Sequence, residues 1–198
     1  MKKMDSQILL NDLQAATRKI ILHTHYLLQY DPEKLVQQPA PGKWSVAQVI
    51  EHLNSYGRYY LPLLEKALND KGGRTNPVFT SGWLGNYFTN SMLPKKNGQV
   101  TNKMRSPKDH RPSPDIDSKQ VLDEFLTQEQ TLLQLLEKAG KANINRRCIP
   151  VSIAPFIQLK TGDAFRFIIA HHQRHFIQAG NTLSAVTGEK EMLKSMGV

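Results

Sequence analysis

Apolar side chains recur at helical spacing in four stretches of the chain. In the first, Leu9, Leu10, Leu13, Ala16, Ile20, Leu27 and Leu28 predict one amphipathic helix over about 5–30, with Asp5 and Ser6 available to cap its start. In the second, Val49, Leu53, Tyr56, Tyr60, Leu64 and Ala67 form a stripe. It is announced by Ser45-Val46-Ala47-Gln48, in which the serine can cap and the glutamine can reach back to the cap amide. Lys71-Gly72-Gly73 is its expected stop. The third stretch, 118–139, carries Val121, Phe125, Leu132, Leu133, Leu135 and Leu136 and ends at Gly140. The fourth starts near Thr161 or Gly162 and runs to Val186, with Asp163 in its first turn, Gly188 just beyond its end, and Phe165, Ile168, His175, Ala179, Leu183 and Val186 on one stripe.

The connections are uneven. Asp31-Pro32 and Pro39-Ala40-Pro41-Gly42 break the helical pattern, because proline removes an amide donor and glycine accepts turn geometry. From about 71 to 117 the chain is rich in Gly, Pro, Asn, Ser and Lys, which is long for a connection inside a compact domain. Its aromatic cluster, Trp83, Tyr87 and Phe88, predicts that 81–93 folds onto the helices as a short helix, whereas 95–114 reads as mobile. The link 141–160 holds prolines and reads as irregular. Four helices, little strand signal and long connections predict an all-α bundle of non-trivial topology, in a single domain over 1–198.

Composition narrows the class. Hydrophobic residues make up 39% and charged residues 22% of 198, which with the periodic segments excludes disorder and fibrous repeats. No apolar run approaches the ~18–20 residues of a membrane span, and the N-terminus gains charge too early for a signal peptide, so a soluble, cytoplasmic protein is expected. Cys148 is the only cysteine, so any metal must be held by nitrogen and oxygen. The net charge is +9, yet Lys and Arg are scattered without a dense basic run, the pattern of a solvated surface rather than of a nucleic-acid interface.

Candidate chemistry lies in the histidines. His171 and His175 are four apart on the fourth helix, on one face and one turn from each other, a spacing that suits two imidazoles on one metal. A further ligand must come from elsewhere. His52 is the best candidate, because it lies between Val49 and Tyr56 on an inward stripe, where an unpartnered imidazole would cost about 1–3 kcal/mol. His172, three before His175, offers a rival pairing that periodicity leaves open. His23, His25 and His110 have no evident convergent partners, and surface positions are expected for them. His172 also stands where a zinc-protease helix would place its glutamate, which removes that enzyme class.

The segment PGKWSVAQVIEHL resembles the early signature of DinB-like proteins, in which a Trp-Ser pair opens a helix whose histidine binds metal. FRFIIAHHQRHFIQ resembles the closing signature, its last histidine and following glutamine matching His175 and Gln178, and the histidine four earlier matching His171. The resemblance thereby selects His171 over His172. It implies an up-down-down-up four-helix bundle and a site of His52, His171 and His175 for a divalent transition metal, commonly nickel or zinc. It also implies frequent homodimers and activities that include metal-dependent transfer of low-molecular-weight thiols, thiol-dependent isomerisation and hydrolysis.

The expected function is therefore a metal-dependent enzyme acting on a small molecule, of thiol-transferase or hydrolase type. The alternative is a non-catalytic metal-binding module for stress response or interaction. No Asp or Glu stands one turn from the metal histidines on their inward face, and Glu51 points away from His52, so a general base would have to come from the long loop or the first helix. Tyr56 and Gln178 can position a substrate or a ligand, Arg174 is expected to face outward, and Trp44 to pack at the helix start. The cluster at Trp83 to Phe88 is read as a hydrophobic cap on the bundle or a cover for one mouth of the site.

Overall fold

A computed structural model describes residues 2–70, 74–94 and 106–189. The chain runs β1 (Lys3–Asp5), α1 (Ser6–Leu27), α2 (Pro32–Val36), α3 (Val46–Asn69), β2 (Val78–Thr80), α4 (Trp83–Met92), a 3-10 turn (Lys108–His110), α5 (Ser118–Ala139), β3 (Arg147–Val151), β4 (Ala154–Lys160) and α6 (Thr161–Thr187). The described residues are thus mostly helical, with two small antiparallel sheets among them. Among the long helices, α1 and α3 each pack against both α5 and α6, and their stripes share one core that includes Leu13, Ile20, Leu53, Tyr60, Phe125, Leu132, Phe165 and Leu183.

The helix starts form where local chemistry satisfies their free amides. Asp5 caps α1, its carboxylate accepting from the Ile8 amide at 2.9 Å. Ser45 and Gln48 form a reciprocal capping box, with the Gln48 amide donating to Ser45 Oγ at 3.2 Å and the Ser45 amide donating to Gln48 Oε1 at 3.0 Å. Asp117 caps α5. Gly188 closes α6 at φ 78°, the left-handed conformation for which glycine is suited. The stop predicted at 71–73 lies outside the described residues; α3 itself ends at Asn69.

Three connections differ from the sequence reading. The segment 141–160 is not irregular: β3 and β4 form an antiparallel hairpin, with Ile149 opposite Leu159 and register shifts beside Ile149 and Pro150. Prolines are compatible with a two-stranded ribbon because each strand has an edge where no amide is needed, and Ile149, Val151 and Leu159 are buried by it. β1 pairs with β2 in a second ribbon, each strand being three residues long and too short to show alternation. The break at Asp31-Pro32 starts the short helix α2, with Asp31 as cap and proline in its first turn.

The predicted helix within 81–93 is α4. It is docked by a buried network at the start of α6. Asp163, fully buried, accepts from Ser81 Oγ at 2.6 Å and from the Gly82 amide at 2.7 Å. Arg166 donates to Asp163 at 3.0 Å, to Ser81 Oγ at 2.7 Å and to Asn86 Oδ1 at 3.2 Å. Gly85 is required at the contact, since a Cβ there would lie 2.3 Å from the Asp163 carboxyl carbon. Asp163 therefore joins two elements as well as standing in a helix first turn.

Candidate metal centre

α3 and α6 lie against each other, which brings His52 to His171 and His175. One ring nitrogen from each lies within 4.8 Å of the others. The ring centroids are 5.1 Å apart for His52 and His171, 4.6 Å for His52 and His175, and 4.5 Å for His171 and His175. His52 and His171 are buried and His175 is partly exposed.

Hydrogen bonds set which nitrogens carry protons. His52 Nδ1 donates to the carbonyl of His110 at 2.7 Å, which leaves the lone pair on Nε2. His175 Nδ1 donates to Gln178 Oε1 at 2.9 Å, with the same result. His52 Nε2 and His171 Nε2 face each other at 3.3 Å, while His171 Nδ1 is buried without a partner among the described residues. Two nitrogens bound to one tetrahedral ion at about 2.0–2.1 Å would stand about 3.3–3.4 Å apart, so the residues present fit a metal. Burial keeps the rings neutral. It pushes His52 down to about 4, against a smaller opposing effect of its bond to His110, and it pushes His175 down to about 3, with His52 adding to the effect. His171 is held well below its ordinary value by burial and by His175. Neutral imidazoles offer lone pairs, as metal ligation needs.

His172 takes another direction. Its Nδ1 lies 2.9 Å from Glu129 Oε1, with both side chains buried, and its ring meets Phe125 edge-on at 5.4 Å. Glu129 was missed by the sequence reading, although its place on the apolar stripe of Phe125, Leu132 and Leu136 was a signal: a carboxylate there requires a partner.

His110 corrects the expectation of a surface position. Only 7% exposed, it stacks on Tyr56 with centroids 3.8 Å apart and contacts Ser55 Oγ through Nδ1 at 2.9 Å. Within a long connection no periodicity marks such a residue. The remainder of the predicted mobile stretch, 95–105, lies outside the described residues. His25 is exposed as expected, whereas His23 is partly buried, 6.2 Å from Phe176. Arg174 is also corrected: it is buried, and burial lowers its pKa. The reason is that α6 is enclosed by α1, α3, α4 and the β3–β4 hairpin, so it has little outward face.

Around the cluster, Tyr56 lies 4.6 Å from His171 and 5.1 Å from His52, and burial pushes its hydroxyl up to about 12. Trp44, next to the helix cap, places its ring 5.1 Å from His52. Glu51 is held by Arg58 at 2.8 Å, and the ligand-capable group among the described residues contains no carboxylate. Trp83 and Tyr87 are exposed; among the described residues the ring contacts from the aromatic cluster to the centre run through Phe88, which meets Phe167, whose ring stacks on His171 at 5.9 Å.

A helical protein with a largely buried three-histidine cluster shared by its second and last long helices is the class defined by this geometry. The sequence profile of the DinB superfamily matches residues 15–179, and the chain belongs to that superfamily. No curated protein and no solved structure matches it.

Proposed function

We propose that this protein is a metal-dependent enzyme acting on a small molecule, of thiol-transferase or hydrolase type, with His52, His171 and His175 as the ligands of a divalent transition metal, nickel or zinc. The observation that carries the reading is the 3.3 Å approach of two ring nitrogens, one of which has its proton committed to the far side of the ring. His52 Nε2 turns its lone pair toward His171 Nε2, so a proton of His171 or a shared cation must lie between them. The convergence of a third nitrogen, from His175, within 4.8 Å supports the cation. When bound, a metal with open coordination positions supplies Lewis acidity and lowers the pKa of a nucleophile. The chain's own part is to present neutral imidazoles and to orient His175, the least buried of the three, through Gln178.

Superfamily membership supports the metal-dependent reading. The up-down-down-up course of the four long helices, a single domain, a homodimer, a cytoplasmic location and a low-molecular-weight thiol as substrate belong to the same proposal. Among the described residues, no helix is long and apolar enough to cross a membrane. A second reading, a non-catalytic metal-binding module, is favoured by the depth of His52 and His171, 3% and 4% exposed. Elemental analysis of the purified chain beside His52→Ala and His175→Ala tests the ligands: loss of metal in both is expected, and unchanged content in both refutes the site. Turnover of thiol cofactors with electrophiles, or of small esters and amides, then separates enzyme from module.

A further inference from the structure

The segment 106–113 is fastened across the N-terminal half of α3, and its fastenings converge on one metal-site histidine. The His110 carbonyl accepts from His52 Nδ1 at 2.7 Å. Ser106 Oγ lies 3.2 Å from that carbonyl and 3.4 Å from the same His52 nitrogen. The Ser55 hydroxyl donates to the His52 carbonyl at 2.7 Å. Its one proton being used there, Ser55 Oγ accepts from His110 Nδ1 at 2.9 Å. The His110 ring is stacked on Tyr56. Farther along, Gln48, the capping-box partner of Ser45 at the start of α3, donates to the Ser113 carbonyl at 3.1 Å.

We propose that Ser55 and His110 are positioning residues for the metal centre, and that docking of the 106–110 segment and metal occupancy of the triad are energetically coupled through the His52 imidazole. This rests on the reading of His52, His171 and His175 as metal ligands. The physical link is the ring itself. A cation at Nε2 withdraws electron density and makes Nδ1–H a stronger donor to the His110 carbonyl; conversely, that carbonyl holds the tautomer and orientation in which Nε2 is free, and makes the ring a better ligand. Linkage requires the effect to be reciprocal: whatever factor docking adds to metal affinity, the metal adds to docking. The carbonyl belongs to the backbone, so its position depends on the side chains that anchor the turn. Ser55 and Tyr56 on α3 supply that anchor through the His110 side chain.

The test uses the full chain and zinc as the probe. Zinc affinity is measured by competition with a chromophoric chelator for wild type, Ser55→Ala, His110→Phe and the double variant. Phenylalanine keeps a ring to stack on Tyr56 but removes the donor to Ser55. Each single variant is expected to lose about tenfold to a hundredfold in zinc affinity, and the double variant no more than the larger single loss, because one contact is removed in all three. On the wild type alone, hydrogen exchange of the His110 and Arg111 amides, which close the turn onto Pro107 and Lys108, should slow by a similar factor when zinc is added. Zinc binding by the wild type with unchanged exchange at these amides and unchanged affinity in Ser55→Ala would overturn the coupling alone. Failure of the wild type to bind zinc, nickel or cobalt would overturn the triad reading, and the coupling with it.

Discussion

His52 Nδ1 is committed to the His110 carbonyl at 2.7 Å while its Nε2 stands 3.3 Å from His171 Nε2. One ring thus faces a peptide on one side and the candidate metal position on the other. Removing His52, His171 or His175 should therefore abolish stoichiometric metal binding, whereas His172→Gln should retain it, since His172 points to Glu129. Metal content by elemental analysis checks this. Retention in the three ligand variants, or its loss in His172→Gln with the fold intact, would redraw the site.

Acid should destabilise the metal-free chain. The folded values of His52 and His175 lie at about 4 and about 3, below the ordinary 6.5, so between these limits the unfolded chain binds more protons than the folded one. The stabilising contribution is then full above pH about 6.5 and is lost as pH falls from there toward the folded values. Denaturant midpoints of metal-free protein at several pH values across this window should fall steadily. A midpoint that rises on acidification would contradict neutral, buried rings.

Glu129 and His172 are buried together at 2.9 Å, and truncating either leaves the other buried without its polar neighbour. Glu129→Ala should cost about 1–3 kcal/mol of unfolding free energy, with Glu129→Gln costing less because an amide can still meet the imidazole. Urea denaturation of the three proteins gives the comparison.

The junction between α4 and α6 should be intolerant of change. Gly85→Ala places a methyl within 2.4 Å of three Asp163 atoms and should cost about 1–3 kcal/mol through forced displacement. Asp163→Ala should cost more, about 3–5 kcal/mol, because it leaves Arg166 buried without its carboxylate. Thermal unfolding in parallel with metal content would show whether the loss stays at this junction or reaches the histidines through Phe88 and Phe167.

The four long helices were legible in the sequence because each carries an apolar stripe many residues long and chemical signals at its ends. Ser45 with Gln48, Asp5 before α1, and Gly188 after α6 are local devices, and the structure uses all three. The pair His171 and His175 was legible for the same reason, since a four-residue interval on a helix determines a shared face. His52 stood out as a polar residue on an apolar stripe. The early and closing signatures placed these residues in a family context that spacing alone could not supply.

Other features depend on partners distant in sequence, and only the tertiary structure decided them. Nothing local to HHQRH separates His171 from His172; the direction of each ring follows from α3, with His52, packing against α6 while Glu129 of α5, a helix that packs on α1 and α3, is met by His172. Arg174 is buried because α6 is enclosed by its neighbours, a property that a helical wheel of α6 does not contain. His110 becomes part of the centre because a connection of no regular period crosses α3 at Ser55 and Tyr56. The hairpin of β3 and β4 escaped notice because its prolines read as breakers, whereas a two-stranded ribbon has edges that tolerate them. By itself the sequence determined which segments coil and which histidines share a face, since those are short-range properties of the backbone. Which ring nitrogens meet, and what holds His52 in place, were decided by packing between elements, since those contacts join residues 58 and 119 positions apart.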